Sequence, residues 1–139
     1  MSEPAVLVET EGPVLVVTLN RPAKKNAVNS EVMCRLYDAW VRLDQDDALR
    51  VAILTGRGDT FCAGMDLAEI GKLQSGVTDN PWLERVRKEP HLIFGAWLKT
   101  YRPTKPVIRA AEGFARAGGT EILEGTDSRR AALFVGDEI

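Results

Sequence analysis

Histidine and cysteine are scarce in this sequence of 139 residues, which holds one His and two Cys. Cys34 and Cys62 stand apart with no C-x-x-C pair, so a zinc site of His and Cys ligands would need both of them to converge with His91. A Ser-His-Asp triad would depend on that same histidine, and the sequence contains no G-x-S-x-G nucleophile elbow. The sequence therefore predicts neither a metal site nor a serine hydrolase.

An excess of one charge and long hydrophobic runs are also missing. The 18 basic and 20 acidic residues leave a net charge of -2, so we expect no general attraction to nucleic acid. The longest apolar runs, such as residues 14–17, are too short to span a bilayer, and the start at Met1 lacks the basic and apolar regions of a signal peptide. We expect no nucleic-acid or membrane partner, and a cytoplasmic location where the thiols stay reduced.

What the sequence does contain is typical of a globular α/β protein. Hydrophobic residues make up 45% and charged residues 27%, and the length predicts one domain with a real core. The apolar patterns predict, in order, a hairpin of strands at 6–8 and 14–19, a helix capped by Ser30 and ending near Leu43, a strand at 50–55, helices at about 67–74 and 91–101, a strand at 107–111 and a helix opening at Thr120. Trp40, Phe94 and Trp97 have helical spacing that predicts core positions. The alternation of strands and helices predicts the α/β class.

Two glycine-bearing loops follow apolar strands and precede helices, at residues 56–66 and 113–119. In that setting, backbone N–H groups stay unpaired and can point at a ligand. Glycine allows a ligand carbonyl to approach the backbone closely because no Cβ intervenes. Neither G-x-x-x-x-G-K-[ST] nor G-x-G-x-x-G occurs, so a nucleotide phosphate loop is not supported. Two such N–H groups facing each other would form an oxyanion hole.

Five motifs stand in series between Val6 and about Asp127. They are Asn20-Arg21-Pro22 with Asn26-Ala27, Ile53-Leu54-Thr55-Gly56, Phe61-Cys62-Ala63-Gly64-Met65-Asp66-Leu67, Lys105-Pro106-Val107-Ile108, and Glu112-Gly113-Phe114-Ala115 with Gly118-Gly119-Thr120-Glu121. In this order they resemble the enoyl-CoA hydratase/isomerase (crotonase) superfamily. The resemblance implies a spiral of β-β-α units that binds an acyl-CoA thioester, with coenzyme A as part of the substrate and no separate cofactor.

The resemblance also implies which groups act on the thioester. Its oxygen would be held by the backbone N–H groups of Met65 and Gly118, which would stabilise the enolate-like charge that develops during the reaction. Glu121 would be the catalytic proton carrier at the α or β carbon. The alternative for Glu121 is a carboxylate that only stabilises the N-terminus of its helix.

Further residues are implied to contact coenzyme A. Lys24 would lie against its phosphates, although simple surface solvation is an alternative for this side chain. The segment that runs along the coenzyme and the acyl chain would comprise Ala63, Met65, Asp66, Leu67 and Ala68, together with Gly118 on the second loop.

The sequence departs from the family pattern in several places. Family members are much longer, so we expect one partial domain over 1–139, the N-terminal half of a truncated member, with an atypical end at 128–139. The homotrimer or hexamer of the family is in doubt for the same reason. Glu138 could replace a second catalytic glutamate only if residues were deleted before it. By the same resemblance, Arg109 and Arg116 stand where relatives have apolar residues. An unpaired buried Arg is costly, so each must find a partner, reach solvent or mark a site that no longer works.

Three functions follow from these observations. The first is hydration of an α,β-unsaturated acyl-CoA. The second is double-bond isomerisation, since a single glutamate can move a proton between carbons whereas hydration usually uses two carboxylates. The third is a truncated, non-catalytic remnant or a binding fragment.

Overall fold

An antiparallel hairpin opens the fold. In the computed structural model, which describes residues 3–111, 114–115 and 128–131, β1 (Val6–Glu11) pairs with β2 (Val14–Leu19). Gly12 in the turn between them has φ 57°, a left-handed conformation that favours glycine. The predicted hairpin is confirmed, and its first strand runs further than 6–8.

A parallel sheet grows from the second strand of this hairpin. The later described elements are α1 (Ser30–Gln45), β3 (Val51–Gly56), β4 (Thr60–Cys62), α2 (Leu67–Ser75), α3 (Pro81–Lys88), α4 (His91–Ala96), β5 (Val107–Ala111), β6 (Phe114–Ala115) and β7 (Ser128–Ala131). The main sheet has the order β1-β2-β3-β5-β7, and its neighbours after β2 all run parallel. β4 and β6 form a separate parallel pair. Parallel neighbours need a crossover connection, and α1 provides it between β2 and β3.

The core lies between the main sheet and α1. Along β2 every second side chain is buried, namely Leu15, Val17 and Leu19, which is the period of a strand with one face in a core. The Trp40 indole of α1 is fully buried and donates a hydrogen bond to Ala96 O of α4 at 3.0 Å. Each large side chain buried in this way contributes roughly 1.5–3 kcal/mol to folding.

The start of α1 differs by one residue from the prediction. Asn29, rather than Ser30, is the N-cap, and its side chain accepts a hydrogen bond from Val32 N–H at 3.0 Å. Ser30 is the first helical residue. Both residue types cap helices well, so the local pattern could not choose between the two adjacent positions.

The region between residues 80 and 98 shows two further differences. Asn80 caps an additional helix, α3, with Pro81 at its first position, in a stretch that the prediction left unassigned. The next helix, α4, ends at Ala96 instead of Tyr101, and Leu98 takes a left-handed φ of 60°. Trp97 is buried, but Phe94 is 52% exposed, so the prediction that Phe94 belongs to the core is wrong.

Among the helices that the structure describes, none combines the length and the apolar character needed to cross a membrane.

Candidate active site

Two loops meet beyond the carboxyl ends of β2 and β4. The capping loop, residues 20–29, connects β2 to α1, and the donor loop, residues 63–66, connects β4 to α2. Three backbone hydrogen bonds join them, from Ala63 N–H to Lys25 O at 3.0 Å, from Val28 N–H to Gly64 O at 2.8 Å and from Asp66 N–H to Val28 O at 2.9 Å. The donor loop is therefore held along its length by the loop beside it.

The N–H of Met65 points away from this junction. Val28 and Met65 form a parallel bridge whose bonds are made by the residues on either side of Met65. In a trans peptide the N–H is directed opposite to the C=O of the preceding residue, and here that carbonyl, Gly64 O, accepts from Val28. Among the described residues, none accepts a hydrogen bond from Met65 N–H. The neighbouring loop thus fixes the direction of this backbone N–H.

Gly64 and Cys62 shape the turn that presents this donor. Gly64 has φ 97°, a conformation that residues with a side chain rarely adopt. Its N–H donates to the Sγ of Cys62 at 3.4 Å. Burial raises the pKa of the Cys62 thiol to about 11, against the opposing effect of that hydrogen bond. Cys62 is therefore a neutral thiol at neutral pH and serves the turn as an acceptor.

Asp66 ends the donor loop and caps α2. Its carboxylate accepts from the N–H groups of Ala68 at 2.9 Å and Glu69 at 3.4 Å, and it forms an ion pair with Arg21 at 3.2 Å. Partial burial acts to raise the pKa of Asp66, but the hydrogen bonds from Arg21, Ala68 and Glu69, together with the charge of Arg21, hold that pKa below its usual range. Asp66 is ionised at neutral pH, which suits the N-terminus of a helix.

A second carboxylate ties α2 to α1. Glu69 is 6% exposed and accepts a hydrogen bond from Ser30 N–H at 3.0 Å. This bond satisfies an N–H group in the first turn of α1, which has no partner within the helix. The starts of both helices are thereby fixed relative to the donor loop.

Asn26 anchors the capping loop to the turn between β3 and β4. Its buried side chain donates to Arg57 O and Thr60 O, both at 2.9 Å, and accepts from Arg21 N–H at 2.8 Å. A Cβ at Gly56 would lie 2.8 Å from Phe61 O and 3.0 Å from the Asn26 amide nitrogen, so only glycine fits there. Asn26 and Gly56, which belong to two separate sequence motifs, are thus packed closely against each other.

A cavity of about 680 Å³ opens beside the capping loop. Three cationic side chains line it, Arg21, Lys24 and Arg57, and its acidic lining residues are Glu3 and Glu31. Lys24 closes a short 3-10 turn, Pro22–Lys24, and is exposed. Of these lining residues, Arg21 also contacts the donor loop, through its ion pair with Asp66.

The structure brings together the predicted residues of the first loop. Ala63, Met65 and Asp66 are half-buried, whereas Ala68 is exposed and Leu67 is 83% exposed, which leaves apolar surface beside the donor loop. Lys24 lies on the neighbouring capping loop. Four other predicted or discussed residues, Gly118, Glu121, Arg116 and Glu138, lie outside the described residues, and their roles stay predictions. Within residues 3–111, 114–115 and 128–131, no group of three or more His, Cys, Asp or Glu is placed to hold a metal ion.

Arg21 and Glu69 are the site residues that the sequence interpretation missed as such. In the sequence, Arg21 stands out only as part of the Asn20-Arg21-Pro22 motif. The Arg21–Asp66 contact spans 45 residues and the Glu69–Ser30 contact spans 39, so no local spacing signals either of them. The one feature of the sequence that indicates a role for Arg21 is its charge within a loop motif.

Comparison with known proteins assigns the fold and the family. The family model described as enoyl-CoA hydratase/isomerase matches residues 9–133. The chain belongs to this enoyl-CoA hydratase/isomerase family. It is 48% identical over 130 residues to the enoyl-CoA hydratase EchA19 of Mycobacterium tuberculosis, across 94% of this chain and 47% of that protein. It is 32% identical over 143 residues to the 1,2-epoxyphenylacetyl-CoA isomerase of Escherichia coli, across 94% of this chain and 49% of that one.

A solved structure confirms the predicted architecture of this family member. The crystal structure of an enoyl-CoA hydratase from M. tuberculosis matches with a TM-score of 0.74 and 44% identity, covering 93% of this chain and 46% of that one. The α/β crotonase-like spiral is therefore confirmed, and so is its incompleteness here. The chain spans about half the length of the relatives that it matches.

The structure places one of the two arginines that the sequence analysis singled out. Arg109 of β5 pairs in register with Leu54 of β3 and with Arg129 of β7. Arg109 is 3% exposed and interacts with another group of the protein. Of the alternatives for this side chain, a path to solvent is therefore wrong.

Proposed function

We propose that the chain binds an acyl-CoA thioester and adds water across an α,β double bond, as a lyase of the enoyl-CoA hydratase type. The observation that carries this proposal is the Met65 N–H, which is fixed in direction, has no acceptor among the described residues and stands where the family pattern expects an oxyanion donor. Family membership supports the chemistry, and the relative from M. tuberculosis is named an enoyl-CoA hydratase.

In this proposal Met65 and Gly118 hold the thioester oxygen together. β4 and β6 pair in parallel at Cys62 and Ala115. Met65 and Gly118 follow those paired positions at equal distances along the sequence, which favours the two N–H groups acting as a pair. Removing one such donor costs about 3 kcal/mol of transition-state stabilisation. In this proposal, the negative charge that develops on the thioester oxygen is stabilised by two N–H dipoles that do not need to reorient during the reaction.

Coenzyme A is proposed to lie across the capping loop and the donor loop. The cavity beside the capping loop is lined by Arg21, Lys24 and Arg57 together with Glu3 and Glu31. Since Arg21 pairs with Asp66 and Arg57 with Glu3, Lys24 is the lining cation that we propose for a phosphate. The exposed Leu67 and Ala68 would contact the apolar part of the ligand. Coenzyme A arrives as part of the substrate, and we propose no separate cofactor.

Glu121 is proposed as the catalytic residue that moves the proton. In hydration it would position water or transfer a proton at the α or β carbon of the substrate. Its support is the family resemblance and its place just after Gly118 in the sequence. The two buried free thiols support a reducing compartment such as the cytoplasm.

Isomerisation is the second candidate function. One of the relatives is named an isomerase, and the sequence offers a single glutamate at a family catalytic position. Assays with crotonyl-CoA and with a 3-enoyl-CoA separate the two reactions. A protein that binds acyl-CoA but converts neither would instead support the non-catalytic alternative.

The donor assignment is tested by exchanging Met65. Met65→Pro removes the N–H, because proline has none, whereas Met65→Leu keeps it and is the matched control. We expect acetoacetyl-CoA affinity, measured by titration calorimetry, to fall by about tenfold or more in Met65→Pro, in keeping with the loss of one fixed donor. Equal affinity in the two variants, both folded by circular dichroism, would reject the oxyanion role of Met65.

Glu121→Gln tests the proton carrier. This nearly isosteric change should lower turnover by ~10²-fold or more while altering acyl-CoA affinity little. If the carboxylate only stabilises its helix, the change should instead cost about 0.3–1 kcal/mol of stability with turnover intact. Measuring kcat and the free energy of unfolding of both proteins decides between the two roles.

A further inference from the structure

We propose that Arg21 is a positioning residue for the oxyanion donor, acting on Met65 N–H through two consecutive peptide groups. This inference rests on the proposed function of the donor loop, but it names a residue and a physical route that the function itself does not require. The route uses only backbone groups of described residues and one guanidinium.

The first step of the route is the pair of contacts that the Arg21 guanidinium makes. The Nη1 of Arg21 donates a hydrogen bond to Ala27 O, and the Nη2 forms the ion pair with Asp66. The side chains of Arg21 and Asp66 are each 18% exposed, so this contact is largely shielded from solvent. The Arg21 N–H also donates to Asn26, which fixes the residue itself.

The second step crosses two peptide groups. Ala27 O and Val28 N–H belong to one planar peptide unit, so the hydrogen bond from Arg21 to Ala27 O sets the direction of Val28 N–H. Val28 N–H donates to Gly64 O at 2.8 Å. Gly64 O and Met65 N–H belong to the next planar unit, so the direction of the proposed donor follows from that bond. The sequence of contacts is Arg21, peptide 27–28, peptide 64–65, and then the ligand oxygen.

This arrangement affects the strength of the donor as well as its direction. Hydrogen bonds in a chain polarise one another, and a bond to a charged group is stronger than a neutral one. The guanidinium draws electron density toward Ala27 O, which makes Val28 N–H a better donor to Gly64 O. That bond in turn makes Met65 N–H a better donor to an oxyanion. Arg21 thus strengthens the hydrogen bond to the ligand by polarising the two peptide groups, without contacting the ligand itself.

Asp66 contacts the same guanidinium at its other terminal nitrogen, Nη2. Its carboxylate fixes Arg21 while its own N–H donates to Val28 O at 2.9 Å. Asp66→Asn keeps an oxygen that can cap α2 but removes the charge that orients Arg21. The pair therefore allows the helix cap and the positioning role to be separated by substitution.

The first measurement uses the protein without ligand. In a ¹⁵N–¹H NMR spectrum, Arg21→Gln should move the Met65 amide proton upfield, because the hydrogen-bonded chain loses its charged end and the N–H becomes less polarised. Arg21→Lys, which retains the charge, should give an intermediate shift. A Met65 amide unchanged in a folded Arg21→Gln variant would overturn the proposal, whatever the outcome for the proposed function.

The second measurement uses the chromophore 4-(dimethylamino)cinnamoyl-CoA, whose absorption moves to longer wavelength when its thioester carbonyl is polarised. We expect the red shift of the bound probe to fall by about half in Arg21→Gln and less in Asp66→Asn. Lys24→Gln removes an equal charge from the same cavity but leaves the route intact, so it should lower affinity without changing the red shift. An equal loss of red shift in Arg21→Gln and Lys24→Gln would reject the route in favour of a general charge effect.

The two measurements separate this inference from the proposed function. Failure of the native protein to bind the probe would reject the proposed function, while the amide spectrum of the free protein still decides the role of Arg21. A native red shift that persists in Arg21→Gln would leave the proposed function standing and remove Arg21 from it.

Discussion

The donor loop and the lysine turn, residues 22–25, lie beside each other but differ in burial and in hydrogen bonding. The donor loop is half-buried and is held by backbone hydrogen bonds at Ala63, Gly64 and Asp66. The lysine turn is exposed throughout and is closed by local bonds, such as the one from Lys25 N–H to Pro22 O at 3.1 Å. A backbone donor is useful only in a fixed direction, whereas a lysine charge acts from many positions. Rigidity is therefore concentrated where direction matters.

The largest expected effect is that of a side chain at Gly64. Gly64→Ala forces a Cβ into the left-handed region at φ 97°, which costs roughly 1–2 kcal/mol and displaces the Met65 peptide. Gly76→Ala is the matched control, since Gly76 has φ 80° and nothing within 4 Å of an added Cβ. Both variants should lose similar stability in urea, but only Gly64→Ala should lose acetoacetyl-CoA affinity. Equal affinity of the two variants would show that acyl-CoA binding does not require the left-handed backbone conformation at residue 64.

The next effect concerns the cap of α2. Asp66→Ala removes the acceptor for the Ala68 and Glu69 N–H groups and should cost about 1 kcal/mol of stability. Asp66→Asn should recover much of that loss, because Asn is as good a cap as Asp. Urea unfolding of both variants measures the difference. If Asp66→Asn were as unstable as Asp66→Ala, the ion pair with Arg21 would outweigh the cap.

A smaller effect should appear in the pH dependence of stability. Since the pKa of Asp66 is lowered in the folded state, its contribution is present above the pKa of the unfolded chain, about 3.9. That contribution is lost as the pH falls through the lower pKa of the folded state. The stability difference between the native protein and Asp66→Asn should therefore shrink when unfolding is compared at pH 6 and at about pH 3. A constant difference would mean that the charge of Asp66 adds nothing.

The smallest effect is expected in the lysine turn. Lys24→Gln should leave the free energy of unfolding almost unchanged, because its side chain is exposed. Its acyl-CoA affinity should fall by about threefold at low salt and by less at high salt, where screening weakens the attraction to phosphate. Calorimetry at two salt concentrations checks this. An affinity that does not depend on Lys24 at low salt would support simple surface solvation.

The sequence allowed much of the fold to be predicted because its signals are local. The hairpin of β1 and β2, the helix α1 and the strand at 107–111 each follow from apolar periodicity and turn residues. The strands β4 and β6 are too short to produce such a pattern. Phe94 has helical spacing, yet α4 ends two residues later and leaves its side chain exposed.

The candidate site was predictable in part. The motif around Met65 indicated the donor loop, but the contacts that fix it join residues far apart in the sequence, as Arg21 and Asp66 do. Periodicity carries no information on such pairs. The single partial domain over 1–139 and the second half of the site, with Gly118 and Glu121, stay predictions.

The central claim is that Met65 N–H donates to the oxygen of a bound acyl-CoA. The most direct test follows the Met65 amide by ¹⁵N–¹H NMR during titration with acetoacetyl-CoA, with the Ala52 amide of β3, already bonded to Pro106 O, as an internal reference. The account predicts a saturable downfield movement of the Met65 amide proton while the Ala52 amide moves little. Saturable binding that leaves the Met65 amide unmoved would contradict it.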